Sequence, residues 1–145
     1  LTAKSTAIQH TASWAVQTGL GNSGCYSFES VDTPGSYIRH SNYELMLDAD
    51  DGSMLFADDA SFCPETGLDI QGNSLRSWSY PTRYWRHYNS ILYIARNCGP
   101  FDFDATALFN DDESFVVDIL IVVDILLVVD ILIVVEFCVC IMFRV

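Results

Sequence analysis

Two histidines and two pairs of adjacent acids stand at matching places along the chain, and they are its best candidates for chemistry. His40 and His87 lie 47 residues apart, each behind an arginine, as Arg39-His40 and Arg86-His87. Asp58-Asp59 and Asp111-Asp112 lie 53 residues apart, each shortly ahead of a Ser-Phe step. A carboxylate accepts hydrogen bonds and a neutral imidazole both donates and accepts, so such a pair suits a ligand rich in hydroxyls. Each residue type also has a structural use: an imidazole can tie a strand to a turn, and aspartate commonly caps turns. Glycoside hydrolysis is a poorer match. It needs two carboxyl groups facing each other across about 5–9 Å, whereas adjacent acids on an extended chain point to opposite faces. No Cys-x-x-Cys, His-x-x-x-His or Gly-x-Ser-x-Gly spacing occurs, so neither a metal site nor an activated nucleophile is expected. No catalytic residue, cofactor or metal is assigned.

The elements that must position these residues follow from an internal repeat. Ser27-Phe28-Glu29-Ser30, Pro34 and Tyr37-Ile38-Arg39-His40 recur 47 residues later as Ser74-Leu75-Arg76-Ser77, Pro81 and Tyr84-Trp85-Arg86-His87, and Asn42 recurs as Asn89 at the same offset. Asp58-Asp59-Ala60-Ser61-Phe62 returns as Asp111-Asp112-Glu113-Ser114-Phe115, so the second copy carries six extra residues around 97–104. A trace of a third copy, Thr11-Ala12-Ser13-Trp14-Ala15-Val16, precedes the first of these endings by 48 residues. Short alternating runs such as Tyr26, Phe28 and Ser30, or Tyr43, Leu45 and Leu47, are separated by the turn signals Thr33-Pro34-Gly35 and Asp50-Asp51-Gly52, the pattern of short strands. Several strands in each of three repeats predict an all-β fold, a β-trefoil, because propellers need four or more blades. The trefoil is expected to be incomplete. A remnant of the first repeat fills 1–24, the second repeat spans 25–71, the third spans 72–117, and an atypical apolar tail fills 118–145.

With 145 residues the chain holds one domain with a modest core and is too short for a catalytic domain as well. A formal net charge of −12 with a single lysine excludes partners held through phosphates, so neither nucleic acid nor an anionic membrane is expected. Five cysteines allow at most two pairs and leave one thiol over. The chain opens mid-pattern at Leu1, without the charged and then apolar segment of a signal peptide, and reads as a fragment whose beginning is missing.

Ser74-Leu75-Arg76-Ser77-Trp78-Ser79-Tyr80-Pro81-Thr82-Arg83-Tyr84 and Gly19-Leu20-Gly21-Asn22-Ser23-Gly24-Cys25 resemble the C-terminal domain of fungal α-L-arabinofuranosidase B. That domain belongs to carbohydrate-binding module family 42 and is carried by glycoside hydrolase family 54 enzymes. The resemblance covers 11–117 and includes ordered motifs of both repeats. It implies a β-trefoil that holds arabinofuranose side chains of arabinoxylan or arabinan in shallow pockets, one per competent repeat. Carried over by position, the sugar-binding pairs are His40 with Asp59 and His87 with Asp112, with Asn42 and Asn89 as secondary candidates. The resemblance also implies a Cys25–Cys63 disulfide, worth about 4 kcal/mol on the chain-entropy estimate, and hence an oxidising, extracellular setting for a secreted protein. Three departures stand out. Most of the first repeat is absent, Cys98 replaces a usual glycine, and Glu113 follows Asp112 where a small or β-branched residue is usual.

Other recurrent side chains carry less. Of Tyr37, Trp78, Tyr84 and Trp85, most are expected in the core, since a small trefoil needs aromatic filling. Arg39 and Arg86 should face away from the adjacent histidines and serve as structural partners of Glu29 or nearby aspartates.

The tail does not fit the family. Val-Val-Asp-Ile-Leu-Ile runs three times over 116–135 with one change, at Leu127. On a helix Asp118, Asp124 and Asp130 would ring the cylinder, whereas on a strand they share one side. Acids at this spacing argue against a membrane span, and an exposed strand of this kind would be prone to aggregate. The favoured reading is translation of a short tandem nucleotide repeat; the alternative is strands that replace the missing repeat or pair between chains. Taken together, the sequence predicts a non-catalytic module that anchors a hydrolase, encoded upstream, on arabinose-containing polysaccharide. The rival readings are an active arabinofuranosidase fragment and a self-assembling structural protein that uses the tail.

Overall fold

Apolar-polar alternation and the paired turn signals organise the computed structural model, which describes residues 14–68, 72–107 and 109. Four strands form the first unit: β1 (Trp14–Thr18), β2 (Tyr26–Ser30), β3 (Ser36–Ser41) and β4 (Glu44–Ala49). A six-residue helix, α1 (Met54–Asp59), leads into the second unit of β5 (Phe62–Thr66), β6 (Asn73–Ser77), β7 (Tyr84–Tyr88) and β8 (Ile91–Ala95). A 3-10 turn follows at Asp102–Asp104. The expected all-β class is therefore what the chain adopts. Asp112 and the tail at 118–145 lie outside the described residues, as does most of the 1–24 remnant.

The sequence repeat is a structural repeat. Strands β1 and β5 pair with β2 and β6 in matching registers, Trp14 opposite Ser30 and Phe62 opposite Ser77. Glu29 opposes Tyr37 just as Arg76 opposes Tyr84. Strands β2 and β6 even share one burial pattern along their five residues. The strands run in the order β1-β2-β3-β4-β8-β7-β6-β5, and the pairing of Tyr26 with Phe62 joins β5 back to β2. Seven strands thus close on themselves, with β1 outside the ring as an extra neighbour of β2. Closure removes the open edges of those seven strands.

Phe28, Ile38, Phe62, Leu75, Trp85 and Ile94 fill the core. Phe28 and Leu75, like Ile38 and Trp85, occupy corresponding places in the two units. Trp85 is fully buried, with Phe28 at 5.1 Å and the edge of Phe62 at 4.9 Å between ring centroids. The expectation that most of the recurrent aromatics are core holds only for Trp85. Tyr37 and Tyr84 are half-buried, and Trp78 is exposed. Tyr84 donates its hydroxyl to Glu65, 3.0 Å away, so a polar tip keeps its ring at the rim.

The strand hairpins explain the recurrent asparagines. Asn42 and Tyr43 link β3 to β4, Asn89 and Ser90 link β7 to β8, and all four have positive φ, 50° and 71° in the first turn, 50° and 65° in the second. Two-residue loops with both residues left-handed are type I′ turns, for which asparagine is favoured. A backbone requirement is enough to account for the Asn42–Asn89 recurrence.

Local capping accounts for α1, an element that the strand pattern does not predict. The Asp50 and Asp51 carboxylates accept from the Gly52 and Ser53 amides at 2.8 Å each, and Gly52 turns the chain at a φ of +74°. Ser53 then caps the helix, its Oγ accepting from Phe56 N at 3.0 Å. Phe56 is buried beneath the helix, while Met54 and Leu55 face outward. The implied disulfide joins Cys25 to Cys63, with the Cα atoms 4.3 Å apart, tying the start of β2 to β5 just beyond the helix. Cys98 is an exposed free thiol.

A candidate carbohydrate pocket at His40 and Asp59

The C-terminal end of α1 meets β3 at the centre of the site. Asp59 is the last residue of the helix and His40 sits near the end of β3; both are buried. Asp59 Oδ1 lies 3.0 Å from His40 Nε2. Ser79 Oγ hydrogen-bonds the same Nε2 at 2.7 Å. The other carboxylate oxygen, Asp59 Oδ2, is 4.0 Å from Arg39 Nη1. Arg39 itself donates from Nε to Asp48 at 2.8 Å and lies over the Phe56 ring.

A rigid support holds the acid in place. Ala60, Ser61 and Phe62 are fully buried. Ser61 donates its hydroxyl to Ala57 O at 2.8 Å and accepts from Gly21 N at 2.8 Å, and Ser27 donates to Ala60 O at 2.7 Å. The Gly19-to-Cys25 loop can come this close because residue 21 has no side chain. A Cβ there would lie 2.6 Å from Asp58 Oδ1 and 2.9 Å from Ala57 O.

The outer wall comes from the second unit. Between β6 and β7, Tyr80 N bonds Ser77 Oγ at 3.2 Å and Arg83 N bonds Tyr80 O at 2.9 Å, while Trp78 N reaches across to Ser61 O at 3.0 Å. This tight loop delivers Ser79 to His40 and sets the Tyr80 ring edge-on to the imidazole, 5.3 Å between centroids. Arg39, His40, Ser41, Asn42, Tyr43, Leu55, Asp59 and Tyr80 then enclose an open pocket of about 280 Å³. That lies just under the roughly 300–1,000 Å³ of sites for drug-sized ligands, a scale suited to one small polar group.

Of the candidates that the sequence offers, His40 and Asp59 meet, and Asn42 lines the same pocket. His87 lies half-buried on β7 and Asn89 is exposed at its hairpin tip; Asp112 is outside the described residues. Arg39 pairs with an aspartate, as expected, and also borders the pocket, which the simple alternation of faces does not suggest. Glu29 instead accepts from Gln17 Nε2 and Gly35 N. Arg86 donates to the carbonyls of Phe103, Ala105 and Ala107 at 2.6–2.9 Å, so its role is structural, as expected, with backbone oxygens among its partners. Tyr80 and Ser79 are not among the sequence candidates. Thr33 holds the place of Tyr80 in the first unit, where its amide bonds Ser30 Oγ at 3.1 Å, so the repeat gives no sign of an aromatic there. Among the described residues, no group of three His, Cys, Asp or Glu side chains is placed to hold a metal.

Burial holds the His40 pKa below the ordinary histidine range. Asp59 opposes this shift, and the cations of Arg39 and Arg83 add to it. The unfolded chain therefore takes up a proton near pH 6.5 while the folded chain resists. Between the two pKa values the unfolded state binds more protons, so stability is full above that range and falls as pH drops through it. We expect the melting temperature to decline between pH 7.5 and pH 5.5 more steeply in the native chain than in His40→Gln. Equal slopes in thermal melts would refute the assignment.

A family model described as the Alpha-L-arabinofuranosidase B (ABFB) domain matches residues 1–117. A Trichoderma koningii protein named "Arabinofuranosidase/B-xylosidase" is 65% identical over 112 residues, which are 77% of this chain and 22% of that protein. "Probable alpha-L-arabinofuranosidase B" of Aspergillus clavatus is 57% identical over 115 residues, covering 79% of this chain and 23% of its own length. Among solved structures, a GH54 α-L-arabinofuranosidase soaked with a cyclic sulfate inhibitor matches with a TM-score of 0.75 at 60% identity, covering 77% of this chain and 23% of that one. An arabinofuranosidase complexed with arabinofuranosyl-α-1,2-xylobiose matches with a TM-score of 0.76 at 57% identity, covering 80% of this chain and 24% of that one. The chain spans less than a quarter of the length of these relatives.

Proposed function

Because the chain belongs to the alpha-L-arabinofuranosidase B (ABFB) domain family, we propose that it is a non-catalytic module that binds arabinofuranose side chains of arabinoxylan or arabinan. The observation that carries this reading is the His40–Asp59 pair, 3.0 Å apart in an open pocket. A furanose presents hydroxyls that donate to the carboxylate, and the half-exposed Tyr80 ring offers an apolar surface beside it. The acid and imidazole are both buried and in contact, and Ser79 hydrogen-bonds the imidazole, so the pocket is ordered before any ligand arrives and little freedom remains to be lost.

In this reading 1–117 is a β-trefoil with boundaries at 24/25 and 71/72: a remnant that carries β1, a second repeat that holds β2 to β5, and a third that begins with β6 to β8. A second pocket at His87 and Asp112 follows from repeat correspondence, with Asn42 and Asn89 as lesser contacts. The two would not be equal, since Ser90 and not tyrosine follows Asn89. The domain would anchor a secreted α-L-arabinofuranosidase whose catalytic part lies upstream, consistent with the Cys25–Cys63 disulfide. Two weak pockets on one module gain through effective concentration on a polymer.

Affinity electrophoresis of the full chain in gels with and without arabinoxylan tests this function. We expect retardation in the polysaccharide gel, relieved by free methyl arabinofuranoside. Equal mobility in both gels would overturn the reading.

A further inference from the structure

The segment that carries the six extra residues of the second repeat, 97–104, folds back toward the His40 pocket and brings Phe101 and Phe103 with it. Phe101 lies 5.2 Å from the pocket residue Tyr43 at a tilt of 45°, and Tyr43 lies 5.7 Å from Tyr80, edge-on at 66°, centroid to centroid. Phe103 stacks between Phe101, at 5.0 Å and 18°, and Tyr93, at 4.4 Å and 5°. A continuous aromatic row therefore leads out of the pocket through Tyr80 and Tyr43 to Phe101. Tyr80 and Phe101 remain 44% and 41% exposed, so both can be reached by a ligand.

The row is held firmly. Asp104 is completely buried and pairs with Arg83, Nη1 to Oδ1 at 2.9 Å, while accepting from Arg96 N at 3.0 Å and Phe101 N at 3.4 Å. The Arg83 guanidinium lies under the Tyr43 ring at 4.2 Å and 5.8 Å from that of Phe101. One buried ion pair thus fixes both the inserted segment and the pocket wall.

We propose that Tyr80, Tyr43 and Phe101 form a stacking extension of the pocket that takes the sugar ring to which a pocket-bound arabinofuranose is attached. This rests on the arabinofuranose reading of the pocket. Continuity points to the occupant: Tyr43 and Tyr80 belong to both surfaces, so a ring attached to a sugar in the pocket reaches the row without leaving the protein surface. A neutral sugar backbone suits an aromatic row on a chain of net charge −12. Stacking of its C–H faces on aromatic rings needs no polar partner. The row would make the module read the polymer as well as its decoration.

Calorimetric titration of the full chain with methyl α-L-arabinofuranoside and with an arabinosylated xylo-oligosaccharide tests the proposal. Phe101→Ala should bind the oligosaccharide about fivefold more weakly and the single sugar as the native chain does. Phe101→Leu keeps the apolar bulk without the ring and should show the same split, which guards against a folding effect of the alanine. Unchanged oligosaccharide affinity in both variants, or equal losses for both ligands, would overturn the row. Native protein that binds neither ligand would instead overturn the pocket on which the row depends.

Discussion

Replacing Asp104 with alanine should destabilise the domain by about 3–5 kcal/mol, the usual consequence of leaving one partner of a buried ion pair uncompensated. The partner left behind is Arg83, only 5% exposed, which also donates from Nη1 to Ile94 O at 3.0 Å. Two amides that converge on the same carboxylate, those of Arg96 and Phe101, lose their acceptor as well. At about 4 °C per kcal/mol for a domain of this size, the melting temperature should fall by about 12–20 °C. Thermal unfolding followed by circular dichroism measures it, and a drop of less than about 4 °C would show that the pair is not the anchor of the 97–104 segment. Gly99 belongs to the same arrangement, because a methyl group there would overlap the Asp104 carboxylate.

Asp59→Asn should weaken binding of a methyl arabinofuranoside about ten- to hundredfold at the His40 pocket. The substitution keeps shape and volume but replaces a charged acceptor with a neutral one, and hydrogen bonds to charged groups contribute roughly 1.5–3 kcal/mol. It also hands His40 a neutral neighbour in place of the carboxylate, while Arg39 keeps its Asp48 partner at 2.8 Å, so the fold should survive. Titration calorimetry on the native and variant chains, with circular dichroism to verify folding, gives the comparison. Native affinity in the variant would remove Asp59 from the site.

The repeat is legible in the sequence because local requirements recur with it. Asn42 and Asn89 are needed at left-handed turn positions, Gly35 takes a φ of +83° after Pro34, and the strands alternate around Phe28 and Leu75. His40 and Asp59 are legible for a different reason, a resemblance in ordered motifs, since a histidine and an aspartate 19 residues apart carry no geometric message by themselves. Three features are not legible. Helix α1 has six residues, too few to display a 3.6-residue period. Tyr80 reaches His40 from across the ring, and no local pattern encodes such a long-range meeting. The inserted segment at 97–104 reads as a simple interruption of the repeat, whereas its Phe101 packs against Tyr43, far away in the chain.

One wall of the His40 pocket is supplied by the neighbouring unit, and this separates inheritance from use. Thr33 and Tyr80 hold the same place in two copies of one loop, both closed by the same serine-capped turn. A single exchange at that place leaves the scaffold of its own unit untouched and rewrites the chemistry of the adjacent one. In a duplicated fold of this kind the wall of the His40 pocket can change while His40 and Asp59 stay fixed, because the variable residue and the pair reside in different copies.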